Sequence, residues 1–498
     1  MRSPRRRISL LAAGLLLGAL VVPATNVTAT SATTEATDSS TSYVVVFRNG
    51  VSSSAAAALI ARAGGTVAHD MTAQIGVAVA TSDVAGFDAT MRASSLVADA
   101  AENLGFKGMP GSQDHPGESV PGGGPDASAD TLEPLQWDMR QIRAQEAHAI
   151  QAGSRAVDVG ILDSGVTAAH PDFTDTDGNN VDCVRGRDFV LPPIGVSPLG
   201  VADPCVDNQF HGTHVAGTVG ARANGIGMVG VAPNVSLVPI KVCDTSGYCY
   251  ASSVIAGITY SGDIKLDVIN MSFYVDDNEF LGSTEFKCSN DPPQRVIRHA
   301  VERAIQYARS QGVTPVAALG NSDTDLAHPF EDQGVHNNCE VVPAETQGVI
   351  GTMSTGPGQE KAFYSNYGVG MTDVAAPGGN SRSTYGEFPG PCGTQVLSTV
   401  FVGQYACIQG TSMASPHAAG VAALIVSQYG TLGADGDVKM PPQKVEAYLQ
   451  GTTVDIGLPG YDECFGHGRI DALKAVTHDT TNEFLVTEPC PEYEEKGS

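Results

Sequence analysis

Five short apolar runs, Val157 to Leu162, Leu237 to Val242, Asp267 to Met271, Val313 to Leu319 and Val349 to Met353, recur along the chain with helically patterned stretches between them. Runs of this length with no polar alternation suit strands that are buried on both faces. Strands alternating with helices then dictate an α/β class, a doubly wound parallel sheet with helices on both faces. In such sheets, sites gather beyond the carboxyl ends of the strands. The body built this way is expected over residues 132–475.

A second, smaller pattern precedes it. Ser42 to Phe47 reads as a strand, Ala55 to Ala63 as a helix ended by Gly64-Gly65, Val67 to His69 and Ile75 to Ala80 as strands, and Ser82 to Ser95 as a second helix. Residues 42–108 are thus expected to form a compact ferredoxin-like α/β unit, roughly 65 residues and marginal by itself. From Gly108 to Ala129 the chain is Gly, Pro, Ser, Asp and Glu with little to bury, so 109–131 is expected to be a flexible linker. An acidic tail, 476–498, is expected after the body.

Residues 1–32 begin with Met-Arg-Ser-Pro-Arg-Arg-Arg, continue in an apolar run from Ile8 to Val22 and leave through small residues. That is the layout of a secretory signal, so the mature protein is expected to be secreted and extracellular. The apolar run is short for a bilayer span, and no stable membrane anchor is expected. Sec and twin-arginine export both remain open. A formal charge of −26, from 54 acidic against 28 basic residues, opposes binding to nucleic acid or anionic lipid. Ten cysteines begin at Cys183, and none forms a Cys-x-x-Cys, which in an exported chain points to disulfides. Local pairing would join 183 to 205, 243 to 249, 288 to 339, 392 to 407 and 464 to 490, although spacing alone leaves connectivity open.

Three segments carry chemistry. Asp163 follows the first apolar run and precedes Ser164-Gly165, where an aspartate also serves as a turn residue. His211 opens His211-Gly-Thr-His-Val-Ala-Gly217, a small-residue helix in which His211 and His214 could instead ligate a metal, though i, i+3 spacing without a nearby carboxylate motif is short of zinc patterns. Ser412 lies where a loop enters the helix of Gly410-Thr-Ser-Met-Ala-Ser-Pro-His417, where it could equally cap. Pro416 is expected in the first turn.

Taken together, Ile161-Leu-Asp-Ser-Gly-Val166, His211-Gly-Thr-His-Val-Ala-Gly217 and Gly410-Thr-Ser-Met-Ala-Ser-Pro-His417 resemble the three motifs of the subtilase family, in the order Asp, His, Ser, over nearly all of 133–475. The resemblance implies a serine endopeptidase that cleaves proteins through an acyl-enzyme, with Asp163 orienting His211, His211 as base and Ser412 as nucleophile. It implies Asn321 as oxyanion donor beside the Ser412 N–H. It also implies that Ser246, Gly247 and Tyr248 together with Ser272, Phe273 and Tyr274 form two edge strands for an extended substrate, with Ala318, Leu319 and Gly320 walling the primary pocket. Tyr274 stands where the family usually has glycine. A structural Ca²⁺ is implied at Asp172 and Asn224 with the loop of Arg222, Ile226 and Met228, while Asp175 to Asp182 could bind another ion or be a solvated turn. Residues 42–108 resemble the family's inhibitory propeptide, so the expected partners are protein or peptide substrates and the chain's own propeptide, acting within a monomeric zymogen that processes itself. A catalytically dead binding protein would lack a triad member, and none is missing. An esterase would have no use for the groove strands.

Overall fold

The computed structural model of the chain describes residues 41–106, 120–121, 130–190, 203–275, 292–327, 340–385, 392–434 and 436–487. Its centre is a seven-stranded sheet in which Arg187–Asp188, Ser236–Lys241, Asp158–Asp163, Val268–Met271, Thr314–Ala318, Ile350–Thr355 and Val374–Pro377 lie side by side. Every pairing is parallel. The chain enters at Asp158–Asp163, lays later strands first on one side and then on the other, and so places Asp163 at the point where strand order reverses.

The unbroken apolar runs follow from two-sided burial. Val159, Ile161, Leu237, Val268 and Val316 point into one core with Val215 and Val219 of helix His211–Gly220 and Ala418 and Val421 of helix Thr411–Tyr429. Leu162, Val238, Ile240, Ile269 and Ala317 point the other way, against Val254 and Ile258 of helix Ala251–Asp263 and Val301 of helix Pro292–Ser310. Each such Val, Leu or Ile side chain contributes about 1.5–3 kcal/mol on burial. Two strands of this sheet escape the sequence reading. Arg187–Asp188 is two residues long, and Val374–Pro377 is Val-Ala-Ala-Pro, small residues ending in a proline that an edge strand tolerates.

The N-terminal unit is a four-stranded antiparallel sheet in the order Gly65–Met71, Val77–Ser82, Thr41–Phe47, Val97–Glu102. One face, with Tyr43, Val45 and Phe47, packs on Ile60 of helix Ser53–Arg62 and on Phe87 and Met91 of helix Phe87–Arg92. The other, with Val44, Val46, Val77 and Val79, shares a core with Val254, Ile258, Val301 and Ala304 of the body. Arg295 pairs with Asp99 at 2.7 Å, and Asn103 exchanges hydrogen bonds of 2.9 Å with Ser252. Two boundaries differ from expectation. Thr72–Ile75 is a short helix that turns at Gly76, φ +66°, so the strand starts at Val77; and Ser82 stays in that strand by bonding the Gly64 carbonyl, which delays the second helix to Phe87.

Disulfides join Cys183 to Cys205, Cys243 to Cys249 and Cys392 to Cys407. Cys464 is also disulfide-bonded. Cys288, Cys339 and Cys490 lie outside the described residues, as do residues 1–40 and most of 109–131. Among the described residues no helix is long and apolar enough to cross a membrane.

Candidate active site

Asp163 ends its strand fully buried, and its carboxylate accepts from the Ser164 N–H at 2.7 Å. His211 Nδ1 meets it at 2.9 and 3.0 Å from the two oxygens, which requires the proton on Nδ1 and leaves Nε2 as the basic nitrogen. Burial alone would lower the His211 pKa, but the adjacent Asp163 charge outweighs it, with Asp207 adding to the effect, and the net direction is upward.

Asp207 organises this half of the site. One of its oxygens accepts from Ser164 Oγ and from the N–H groups of Gln209 and Phe210, each at 2.9 Å, and the other from Thr213 N at 2.9 Å and Thr213 Oγ1 at 2.7 Å. Ser164 Oγ in turn accepts from Gly212 N at 3.0 Å. Phe210 is thereby held at φ +82°, a costly conformation for a bulky residue, so the helix begins abruptly at His211. His214 sits one turn on, bonded to the Ala406 carbonyl, and burial pushes its pKa down to about 3. It is a neutral core histidine. No group of three or more possible His, Cys, Asp or Glu metal ligands exists among the described residues.

Ser412 stands in the first turn of its helix, where backbone N–H groups have no acceptor within the helix. Its hydroxyl donates to the Ser272 carbonyl at 3.1 Å and makes no bond to His211, whose Nε2 is buried without a partner among the described residues. Pro416 is not in the first turn as expected but well inside helix Thr411–Tyr429. Its missing N–H would have bonded the Ser412 carbonyl; Ser272 Oγ donates to that carbonyl instead, at 2.9 Å. Asn321 lies beside this helix start, its Oδ1 accepting from Thr411 N at 2.8 Å and Thr411 Oγ1 at 3.1 Å. Its Nδ2, also buried, has no partner among the described residues.

The groove residues depart from the two expected edge strands. Ser246, Gly247 and Tyr248 form a turn, because Asp244 draws the N–H groups of Ser246 and Tyr248 onto one carboxylate oxygen and its own carbonyl takes that of Gly247. The edge strand is the next pair, Cys249–Tyr250, which pairs antiparallel with Gly105–Phe106. Ser272, Phe273 and Tyr274 are irregular, since the strand stops at Met271 and Ser272 turns to meet Ser412. Ala318 ends a strand, Leu319 is buried, and Gly320 turns the chain at φ +105°.

At the expected calcium loop, Asp172 Oδ2 accepts from Met228 N at 3.0 Å while Oδ1 is buried without a partner among the described residues. Burial, with Asp130 adding like charge, raises the Asp172 pKa to about 8. Asn224 uses its side chain on the Ile226 N–H and on the Pro171 and Thr174 carbonyls, and the Arg222 guanidinium pairs with Asp175. Asp130 was not anticipated, because it lies in a stretch read as linker; its Oδ1 accepts from Asn224 N and Gly225 N at 3.1 and 2.9 Å. The second acidic stretch opens as a small hairpin over Thr174–Asn179, and its Asp175 and Asp182 carboxylates are paired with Arg222 and Arg185.

The sequence matches the Subtilase family model over residues 154–468. It is 33% identical to subtilisin DY of Bacillus licheniformis over 334 residues, 67% of this chain and 96% of that protein. It is also 33% identical to the alkaline protease of Alkalihalobacillus alcalophilus over 302 residues, 60% of this chain and 62% of that relative, so the chain spans less than two thirds of it. Among solved structures, the epidermin leader peptide processing serine protease of Staphylococcus aureus shares the fold with a TM-score of 0.68 at 22% identity, over 89% of this chain and 99% of that one. A lanthipeptide protease gives a TM-score of 0.56 at 24% identity, over 69% of this chain and 94% of that one.

Proposed function

The chain belongs to the subtilase family of serine-type endopeptidases, and from that premise we propose that it is a secreted enzyme that cleaves peptide bonds through Asp163, His211 and Ser412. Released from the Ser272 carbonyl, the Ser412 hydroxyl gives its proton to His211 Nε2 as its oxygen attacks the substrate carbonyl. Asp163 keeps the imidazole in that tautomer and stabilises its cation. Asn321 Nδ2 and the Ser412 N–H hold the oxyanion, the leaving amine takes the proton back from His211, and water then releases the acyl group.

The observation that supports this reading is a buried imidazole paired to Asp163 through one nitrogen with its other nitrogen, Nε2, unpartnered among the described residues, together with the equally unpartnered Nδ2 of Asn321, whose Oδ1 is bonded to Thr411 beside Ser412. Labelling with a serine-directed covalent inhibitor tests it: adduct mass on Ser412 that disappears in Ser412→Ala is expected, and an active protein carrying no adduct there would overturn it.

Residues 42–108 act as an inhibitory prosegment, docked through the shared core and the Gly105–Phe106 pairing, and 109–131 is the region cut by the enzyme itself. Residues 1–32 direct export. A structural Ca²⁺ suits the 222–228 loop, because the unpartnered Asp172 oxygen and the carbonyls of Arg222, Ile226 and Met228 are hard donors. Asn224 fits through its side-chain oxygen, and Asp130 adds charge nearby. The ion supplies no chemistry to the reaction; it ties the loop to the body.

A further inference from the structure

Building on the peptidase reading, we infer that Tyr250, anchored by Asp244, is a specificity-determining side chain: the edge strand Cys249–Tyr250 favours an extended peptide with glycine opposite Tyr250, preceded by an apolar residue.

The chain itself supplies a peptide in that place. Gly105 pairs with Tyr250 and Phe106 with Cys249, antiparallel, and Ala251 N donates to the Leu104 carbonyl at 3.0 Å. Gly105 is in extended backbone, so conformation does not explain the glycine. Space does. A Cβ there would lie 2.4 Å from Cε1 and 2.5 Å from Cδ1 of the Tyr250 ring. Leu104, one residue before, packs half-buried against the core that includes Val254 and Ile255.

The ring has no cheap way to yield. With 104–106 in place it is 3% exposed, and its hydroxyl donates to Asp244 Oδ2 at 2.8 Å. Asp244 is itself buried, its other oxygen taken by the N–H groups of Ser246 and Tyr248 at 2.8 and 3.0 Å. The disulfide between Cys243 and Cys249 closes the same turn. Moving the ring therefore strips a buried carboxylate of a donor and works against a cross-linked loop. The turn also hangs from the catalytic strand end, since Val242 N and Cys243 N both donate to the Asp163 carbonyl, at 2.9 and 3.2 Å. A substrate that replaces 104–106 in the same register meets the same wall.

Two measurements test this. In the full chain carrying Ser412→Ala, hydrogen exchange at Ala251 reads the pairing without turnover. Gly105→Leu is expected to speed that exchange at least about tenfold, and adding Tyr250→Ala to restore protection. Unchanged protection in Gly105→Leu overturns the inference whether or not the protein is a peptidase. With the processed enzyme, a peptide library is expected to show glycine favoured over alanine by about tenfold or more at one fixed position from the cut, and Tyr250→Ala to abolish that preference. Equal rates with Ser412 still labelled, or a glycine preference that survives in Tyr250→Ala, overturn the substrate rule and leave the peptidase reading standing. Absence of both cleavage and label would instead sink the peptidase reading, with the exchange result still deciding the role of Tyr250.

Discussion

The two halves of the site use their polar atoms in opposite ways. Around Asp207 each carboxylate oxygen is spent, on Ser164, Gln209, Phe210 and Thr213, and the result is a rigid mount for Asp163 and His211. Around Ser412 the bonding is provisional. The hydroxyl is parked on a main-chain carbonyl, His211 Nε2 and Asn321 Nδ2 are buried with nothing opposite among the described residues, and Pro416 has released a carbonyl that Ser272 must hold. A buried unpartnered donor or acceptor costs about 1–3 kcal/mol. The fold tolerates that cost where a substrate or an oxyanion completes the bonding, and avoids it where geometry only has to be kept.

If that contrast is right, losses on the provisional side fall on turnover. Ser412→Ala is expected to lower kcat by about 10⁶-fold with KM little changed, measured on a chromogenic peptide; a fall of less than a hundredfold would mean another nucleophile. Asn321→Ala removes only the oxyanion donor and should cost about 10²- to 10³-fold in kcat, again without a matching rise in KM. A large KM effect would instead make Asn321 a substrate-binding group. Asp172 Oδ1 is a third unspent atom, away from the chemistry. Calcium at about a hundred times its dissociation constant should add ~2.7 kcal/mol to stability, seen as a rise of several degrees in Tm over protein in chelator, and Asp172→Asn should erase the rise while leaving kcat near wild type.

The same contrast explains what could be read ahead of the structure. The strand end at Asp163 and the helix starts at His211 and beside Ser412 were legible because each is marked by a short motif at the edge of a regular element, and the two-sided sheet because its runs are apolar without alternation. Asp207 was not, since its partners include Ser164 and Thr213, and nothing local to Val-Asp-Asn-Gln-Phe announces a contact 43 residues back. The edge strand was misplaced by a few residues because Ser-Gly reads the same as turn or strand until Asp244 and the Cys243–Cys249 bridge decide it. Pro416 was set in the first turn because its helix start is marked by glycine and threonine rather than by a capping side chain, and the compensating donor, Ser272, lies 140 residues away.

The smallest effect tests the satisfied side. Asp163, and more weakly Asp207, hold the His211 pKa above the ordinary imidazole value of 6.5 despite burial. Only neutral His211 can act as base, so kcat/KM should fall as pH drops through a midpoint above that value. For stability the sign is reversed: the pairing favours the folded protein fully below the unfolded imidazole pKa and is lost as pH rises through the folded one. Asp207→Asn keeps the size of the side chain and removes its charge. It should therefore move the kcat/KM midpoint down by a fraction of a unit, with a partial loss of the alkaline plateau because the amide NH2 faces donors that a carboxylate oxygen accepted from. A collapse of the plateau with an unmoved midpoint would make Asp207 a purely mechanical brace, its negative charge too far or too well screened by the Thr213 and Ser164 hydroxyls to be felt by the imidazole.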